Sequence, residues 1–178
     1  MKKICFMKYI TCVYSLLFFV LSGMVSFTHA GNLFVSFSPD YITILPGNSE
    51  TIKLNYDILS GQKGTTGLTL RIHFNSKVID SVSFEDMYGE GLLGHDYTAK
   101  EDSTDFDNDP ETDKFLCFGW IGITGAWPEI ITPPMSLGKI NVKARPDAFN
   151  CESSINITSN SIPAGYSLNV ERMTVFIP

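Results

Sequence analysis

Apolar and polar residues alternate along most of the chain after residue 30, in short runs separated by Gly, Pro, Asn, Asp and Ser. The alternation is most regular over residues 51–58 and 68–74. A period of two places every second side chain on the same face of a strand. Each run is therefore predicted to be a strand with one buried face and one wet face. Since no stretch of 12 residues has a helical period, we predict an all-β domain.

Several weaker patterns complete the predicted set of strands. Further strands are predicted at residues 33–37, 41–45, 82–84, 114–120, 137–144 and 155–159, and at 166–177 as one bent strand or two. The run 114–120 is apolar on both faces, which is typical of a central strand. Residues 85–113 are predicted to form a long irregular segment, of a kind that is often functional or disordered. Eight or nine strands fit a two-sheet sandwich.

The first 30 residues differ from the rest. Three lysines at positions 2, 3 and 8 precede an apolar run over 9–27, and the small residues around Ala30 match a signal-peptidase site. This pattern is typical of a secretory signal peptide cleaved after Ala30, although the long apolar run leaves an uncleaved membrane anchor as the alternative. We expect a secreted domain at residues 31–178, located outside the cell or in the periplasm.

The predicted mature domain is strongly acidic. The whole chain has 13 basic and 19 acidic side chains, and the first 30 residues contain three of the basic ones and none of the acidic ones. The mature domain therefore has ten basic and 19 acidic side chains. A net charge near −9 repels phosphate backbones and anionic lipids. This argues against nucleic-acid or membrane-surface partners, and it suits divalent cations or neutral sugars better.

Two of the four cysteines lie in the predicted signal peptide, which leaves Cys117 and Cys151 in the mature chain. Secreted proteins pass through oxidising compartments, where a lone pair of cysteines commonly forms a disulfide. A Cys117–Cys151 disulfide is therefore expected. Two buried thiols are the alternative.

Seven carboxylates crowd into residues 101–113. Aspartates at every second position can direct several oxygens toward one point, as Ca²⁺ requires. We expect one structural Ca²⁺, and its predicted ligands are Asp105, Asp107, Asp109 and Asp113, with Glu111 as an alternate ligand. Pro110 occupies the position where an EF-hand loop needs Gly, so the segment is not an EF-hand. A solvated acidic loop without an ion is the other interpretation.

Aromatic residues offer a possible sugar-binding platform. Trp120 falls inside a predicted strand and is expected in the core, whereas Trp127 precedes Pro128 in a predicted loop. Indole and phenol rings can stack on sugars, although β-sandwich cores use the same residues. The predicted ligand-binding residues are therefore Trp127, Tyr97 and Tyr88.

No motif of an enzyme is present in the sequence. There is no G-x-S-x-G elbow, no H-E-x-x-H and no phosphate-binding loop. His73 lies on the polar face of its predicted strand and is expected at the surface. We therefore expect a protein without catalytic activity.

Three motifs resemble those of cohesin domains, in the same order and at similar spacings. Pro46-Gly47 followed by residues 50–54 is similar to their opening PGE-[ST]-V-x-[VL] strand. Residues 67–79 are similar to their GxxxxxxYDPSVLE segment, and residues 136–142 to a later LxxixF strand. Together the motifs span most of residues 33–177.

The resemblance implies a two-sheet antiparallel jelly-roll sandwich of about nine strands that is secreted and acts by binding. The partner it implies is an extracellular protein, of dockerin type or in a surface assembly. The alternative is a carbohydrate-binding module that recognises a polysaccharide. The acidic segment 105–113 and the Trp127-Pro128 pair depart from cellulosomal cohesins and resemble cohesin-like domains of bacteria that lack cellulosomes.

Overall fold

The computed structural model describes residues 31–61, 64–122 and 125–178. These residues form strands and loops and contain no helix. Their twelve strands are β1 (Gly31–Ser38), β2 (Tyr41–Thr43), β3 (Ser49–Ser60), β4 (Gly67–Phe74), β5 (Ile79–Glu85), β6 (Leu92–His95), β7 (Lys100–Glu101), β8 (Lys114–Ile121), β9 (Met135–Ala144), β10 (Cys151–Ser161), β11 (Tyr166–Val170) and β12 (Met173–Ile177). The predicted signal peptide lies outside the described residues.

The strands form two sheets that face each other across one core. The five-stranded sheet has the order β11-β1-β3-β9-β5, and the seven-stranded sheet has the order β2-β12-β10-β4-β8-β6, with β7 also paired to β8. Neighbours are antiparallel except for two pairs, β1 with β11 and β2 with β12. Each parallel pair joins a strand from the start of the domain to one from its end.

The sequence alternation explains why each sheet buries one face. In β3, Ile52, Leu54 and Tyr56 are fully buried, while the residues between them are more exposed. The core-facing residues of β4 lie beside core-facing residues of β8 in the same sheet; Leu70, for example, pairs with Phe118. Burying such side chains contributes about 1.5–3 kcal/mol each before entropic costs. The core therefore lies between the sheets, as the pattern predicts.

The two-sheet all-β sandwich expected from the sequence is confirmed. The number of strands is twelve rather than about nine, because the segment predicted to be irregular contains β6 and β7, and because residues 166–177 divide into β11 and β12. The arrangement also departs from a purely antiparallel sandwich at its two parallel pairs. Among the described residues, no helix has the length and apolar character needed to cross a membrane.

The expected disulfide is wrong in this structure, where Cys117 and Cys151 are both free. Cys117 lies opposite Arg71 of β4, and Arg71 lies opposite Thr158 of β10. Cys151 starts β10, seven positions before Thr158, which is about 23 Å at the usual rise of a strand. A disulfide requires Cα atoms within about 7 Å of each other. The strand register therefore keeps the two thiols apart.

Candidate functional site

A shallow groove of about 370 Å³ lies on the outer face of the seven-stranded sheet, over β4, β6 and β8. Its lining consists of Thr69, Leu93, Gly94, His95, Asp96, Cys117, Phe118, Gly119 and Ile121. Two glycines on adjacent strands, Gly94 and Gly119, are paired in register at its floor. A Cβ atom built on Gly94 would meet nothing within 4 Å, so the groove is open above this residue.

The glycine on the central strand is required by packing. A Cβ atom on Gly119 would lie 2.6 Å from Thr69 Oγ1 and 2.8 Å from the carbonyl oxygen of Leu68. A Cβ atom does not approach other atoms this closely in real proteins, so only glycine fits at this position. Because Gly119 has no side chain, the surface of the sheet forms a depression between the side chains of Thr69 and Ile121.

The rim of the groove is apolar at one end. Ile121, whose side chain lies on this outer face, is 57% exposed. In the loop after residue 125, the side chain of Ile130 is 81% exposed, and its backbone N–H donates a hydrogen bond of 3.0 Å to Glu90 Oε2. Because Glu90 lies just before β6, this bond fixes the loop near the groove. An exposed aliphatic side chain beside an open groove offers apolar contact to a partner.

A fixed carboxylate lies at the other end. Asp96 accepts hydrogen bonds from Lys100 Nζ at 3.0 Å and from the backbone N–H of Cys117 at 3.0 Å. The hydrogen bond from Lys100 holds the pKa of Asp96 below its usual value, and the Cys117 N–H acts in the same direction against partial burial. Burial and the neighbouring Asp96 together raise the pKa of the Cys117 thiol. The groove thus contains an ionised carboxylate beside a neutral thiol.

Trp127 lies in the core and does not form the surface platform expected from the sequence. The side chain is 1% exposed, and its ring is stacked on Trp120 with centroids 5.5 Å apart. Its Nε1 donates to the carbonyl oxygen of Glu90 at 3.1 Å. A β-bridge to Thr65 draws this part of the loop into the sandwich. Trp120 is fully buried, which confirms its predicted place in the core.

The two tyrosines predicted to assist Trp127 lie in different environments. Tyr97 is 90% exposed and packs on His95, with ring centroids 4.5 Å apart. Tyr88 is half-buried and donates a short hydrogen bond to Glu90. Burial and that hydrogen bond raise the pKa of Tyr88 to about 12. The structure therefore does not bring the three predicted aromatic residues onto one surface.

The predicted calcium ligands are also divided. Asp107 and Asp109 both accept hydrogen bonds from Asn156 Nδ2, at 2.7 and 3.1 Å, and Asp109 also pairs with Arg172 at 2.8 Å. Asp113 instead accepts from the backbone N–H and the hydroxyl of Ser76, both at 2.7 Å.

The remaining two predicted ligands, Asp105 and Glu111, are exposed. The five residues therefore do not converge as predicted. A structural Ca²⁺ stays a prediction from the sequence.

Two features of this part of the molecule could not be predicted from the sequence. His73 is fully buried rather than exposed, because the acidic loop covers the outer face of β4. The groove depends on two glycines that become neighbours only through the pairing of β6 with β8. Gly119 inside a strongly apolar strand is the one sequence signal, since glycine in a strand often marks a close approach of another group.

No protein-family model matches the chain, and no curated protein sequence matches it. Solved structures do match. A type I cohesin–dockerin complex of Clostridium thermocellum, Coh-OlpA with Doc918, aligns with a TM-score of 0.56 at 13% identity, over 83% of this chain and 99% of that one. The third ScaC cohesin of Acetivibrio cellulolyticus, in complex with the ScaB dockerin, gives 0.56 at 11% identity, over 82% and 98%. The seventh ScaB type I cohesin of Pseudobacteroides cellulosolvens gives 0.55 at 7% identity, over 82% and 92%.

The architecture places this domain among the two-sheet β-sandwiches. Within that class, the structural matches show that this domain has the cohesin fold. The resemblance inferred from three short sequence motifs is confirmed at the level of the fold.

Proposed function

We propose that this protein is a secreted, non-catalytic binding module whose partner is another extracellular protein, of dockerin type or part of a surface assembly. The observation that carries the proposal is the open groove with two glycines at its floor and the exposed side chain of Ile121 at its rim. Two of the structural neighbours are cohesins in complex with dockerins, which supports a protein as the partner.

The chemistry of the groove suggests what the partner presents. Ile121 offers apolar contact at one end, and Asp96 offers a carboxylate at the other. A partner segment with one or two aliphatic side chains beside a basic residue matches this arrangement. Burying aliphatic side chains supplies most of the affinity, and the charge sets the orientation.

The ionisable groups of the groove fit binding better than catalysis. Asp96 is already paired with Lys100, and the raised pKa of Cys117 disfavours its thiolate form. A nucleophilic cysteine instead needs a lowered pKa and an adjacent base. Trp127, the main candidate for stacking on a sugar, is buried, which favours a protein partner over a polysaccharide.

Filling the groove provides the test. Gly94→Leu projects a side chain into open space above the groove, and we expect it to weaken binding at least tenfold. Gly89→Leu is the matched control, because a Cβ atom on Gly89 also meets nothing within 4 Å, yet Gly89 does not line the groove. Binding is measured by biolayer interferometry against purified dockerin modules and against fractionated proteins of the native culture medium.

Equal weakening by both variants, or by neither, would place the binding surface elsewhere. If the domain binds glycans on an array and no protein ligand is found, the carbohydrate-binding alternative would replace the proposal.

A further inference from the structure

A buried group of metal-ligating atoms lies beneath the acidic loop, away from the groove lining. It consists of His73 on β4 and of Asp102 and Asp107 in the loop, with side chains 0%, 0% and 2% exposed. His73 Nδ1 lies 2.7 Å from Asp102 Oδ2 and 3.9 Å from Asp107 Oδ1. One donor atom from each residue lies within 4.8 Å of the other two. The three atoms therefore surround one small space.

Asp107 Oδ1 is buried there without a hydrogen-bond partner. The second oxygen of the same carboxylate accepts from Thr112 Oγ1 and from Asn156 Nδ2, both at 2.7 Å. These two bonds fix the orientation of the carboxylate and direct Oδ1 toward His73. A buried carboxylate oxygen without a partner is costly, so its presence points to a missing cation or donor.

The other two side chains are oriented in a similar way. His73 Nε2 lies 2.8 Å from Thr158 Oγ1, and Nδ1 shares a hydrogen bond of 2.7 Å with Asp102 Oδ2. A metal ion would take the place of the proton in that second hydrogen bond, with Nε2–H then donating to Thr158. Asp102 Oδ1 accepts from the backbone N–H of Phe106 at 3.3 Å, which leaves Oδ2 facing the imidazole. Hydrogen bonds that position ligands from behind are typical of metal sites.

The nearby basic side chains are used elsewhere. Arg172 pairs with Asp109 at 2.8 Å, and the guanidinium of Arg71 lies 4.0 Å above the ring of Phe106. Among the described residues, no Lys or Arg forms an ion pair with Asp102 or Asp107, and the only basic side chain that faces both carboxylates is the imidazole of His73. A divalent cation would supply positive charge at this point.

We propose that His73 Nδ1, Asp102 Oδ2 and Asp107 Oδ1 bind a divalent transition-metal ion, such as zinc. A mixed imidazole and carboxylate set suits such ions, whereas Ca²⁺ requires six to eight oxygen ligands. Ligand atoms around a tetrahedral zinc ion lie about 3.3 Å apart, given bonds of about 2.0–2.1 Å. The observed 2.7 and 3.9 Å lie on either side of that value, so a shift of about 0.6 Å in each contact makes room for the ion. The bound ion would tie the loop to β4.

Calorimetry with the purified chain, stripped by a chelator and titrated with Zn²⁺, tests this site. We expect one equivalent to bind, and a zinc concentration about a hundredfold above Kd to raise Tm by about 5–10 °C. Asp107→Asn and His73→Gln are each expected to weaken zinc binding at least tenfold. Asp105→Asn is the matched control, since Asp105 is an exposed aspartate of the same loop and its φ of 54° suits Asn.

If His73→Gln does not fold, a measurement that starts from the unaltered chain still tests the site. Substitution with Co²⁺ is expected to give the visible absorption of a low-coordinate site, and Asp107→Asn is expected to remove it. The proposal is overturned if zinc does not bind, or if its affinity survives Asp107→Asn and His73→Gln. Preferential binding of Ca²⁺ that is lost in Asp105→Asn would instead support the oxygen site predicted from the sequence.

Discussion

Trp127 belongs to a cluster of aromatic side chains inside the sandwich. Its ring centroid lies 5.5 Å from that of Trp120 and 5.6 Å from that of Tyr56. Trp127→Ala is therefore expected to lower the free energy of unfolding by about 3–5 kcal/mol, because it removes buried apolar contacts and leaves a cavity. Urea denaturation followed by fluorescence measures this change. Tyr97→Ala is the control, and its 90% exposed side chain is expected to contribute less than about 0.5 kcal/mol.

A stability loss below about 1 kcal/mol in Trp127→Ala would show that the indole is not part of the core. Loss of glycan binding without loss of stability would return Trp127 to the role predicted from the sequence.

Asp113 connects the acidic loop to the turn after β4. Burial opposes its ionisation, but the hydrogen bonds from the backbone N–H and hydroxyl of Ser76 outweigh burial and hold its pKa below the usual value. A lowered pKa stabilises the fold above the pKa of the unfolded chain, about 3.9, and this contribution is lost as the pH falls through the folded value.

Asp113→Asn is accordingly expected to cost about 1 kcal/mol at pH 7, and the difference from the unaltered chain should shrink below about pH 4. Urea denaturation at pH 7 and pH 3 measures both values. Glu111→Gln, an exposed change in the same loop, should leave stability at pH 7 unchanged. A difference that stays constant across this range would mean that the ionised carboxylate is not what stabilises the turn.

At the level of strands, register determines the state of the cysteines. Because Cys117 and Cys151 occupy separate positions on β8 and β10, both are expected to be alkylated in the unfolded chain without prior reduction. Mass spectrometry after iodoacetamide treatment in urea should show two added groups on these residues. A mass lower by two hydrogens and an unmodified Cys117–Cys151 peptide would restore the disulfide.

The regular strands could be predicted from the sequence because each alternates over many residues. The predicted 51–58 and 68–74 lie within β3 and β4, and 114–120 lies within β8. The short strands β6 and β7 could not be predicted, since four and two residues carry no readable period. They form because β8 provides a partner for both.

The candidate sites were less predictable for a related reason. Alternation places His73 on the outer face of its sheet, but it does not show that residues from 101 onward fold back over that face. The predicted acidic ligands share one segment of sequence, but they are held by different parts of the fold. Asp113 accepts a hydrogen bond from Ser76 in the turn after β4, and Asp107 accepts one from Asn156 on β10. Local spacing therefore identified the loop, and tertiary contacts decided where each carboxylate points.

At the scale of the whole molecule, the acidic charge bears on the proposed binding function. Residues 31–178 carry ten basic against 19 acidic side chains. If the partner presents a basic segment, electrostatic steering should raise the association rate. We expect the rate constant to fall by about tenfold between 20 and 300 mM NaCl, as screening shortens the Debye length, while the dissociation rate changes less. Stopped-flow kinetics at several salt concentrations measures this. A rate independent of salt would exclude a basic partner segment.

The pairing of β1 with β11 has a consequence for how the chain reaches its folded state. Asn32 and Ser167 lie 135 positions apart in the sequence, yet their side chains share a hydrogen bond. Contacts this distant in sequence carry a large loop-closure cost, and proteins dominated by them fold in milliseconds to seconds. During synthesis, β1 leaves the ribosome long before β11 does. The edge of β1 that pairs with β11 therefore stays unpaired until β11 has also been synthesised. This interval is when the chain is most exposed to aggregation and most dependent on chaperones.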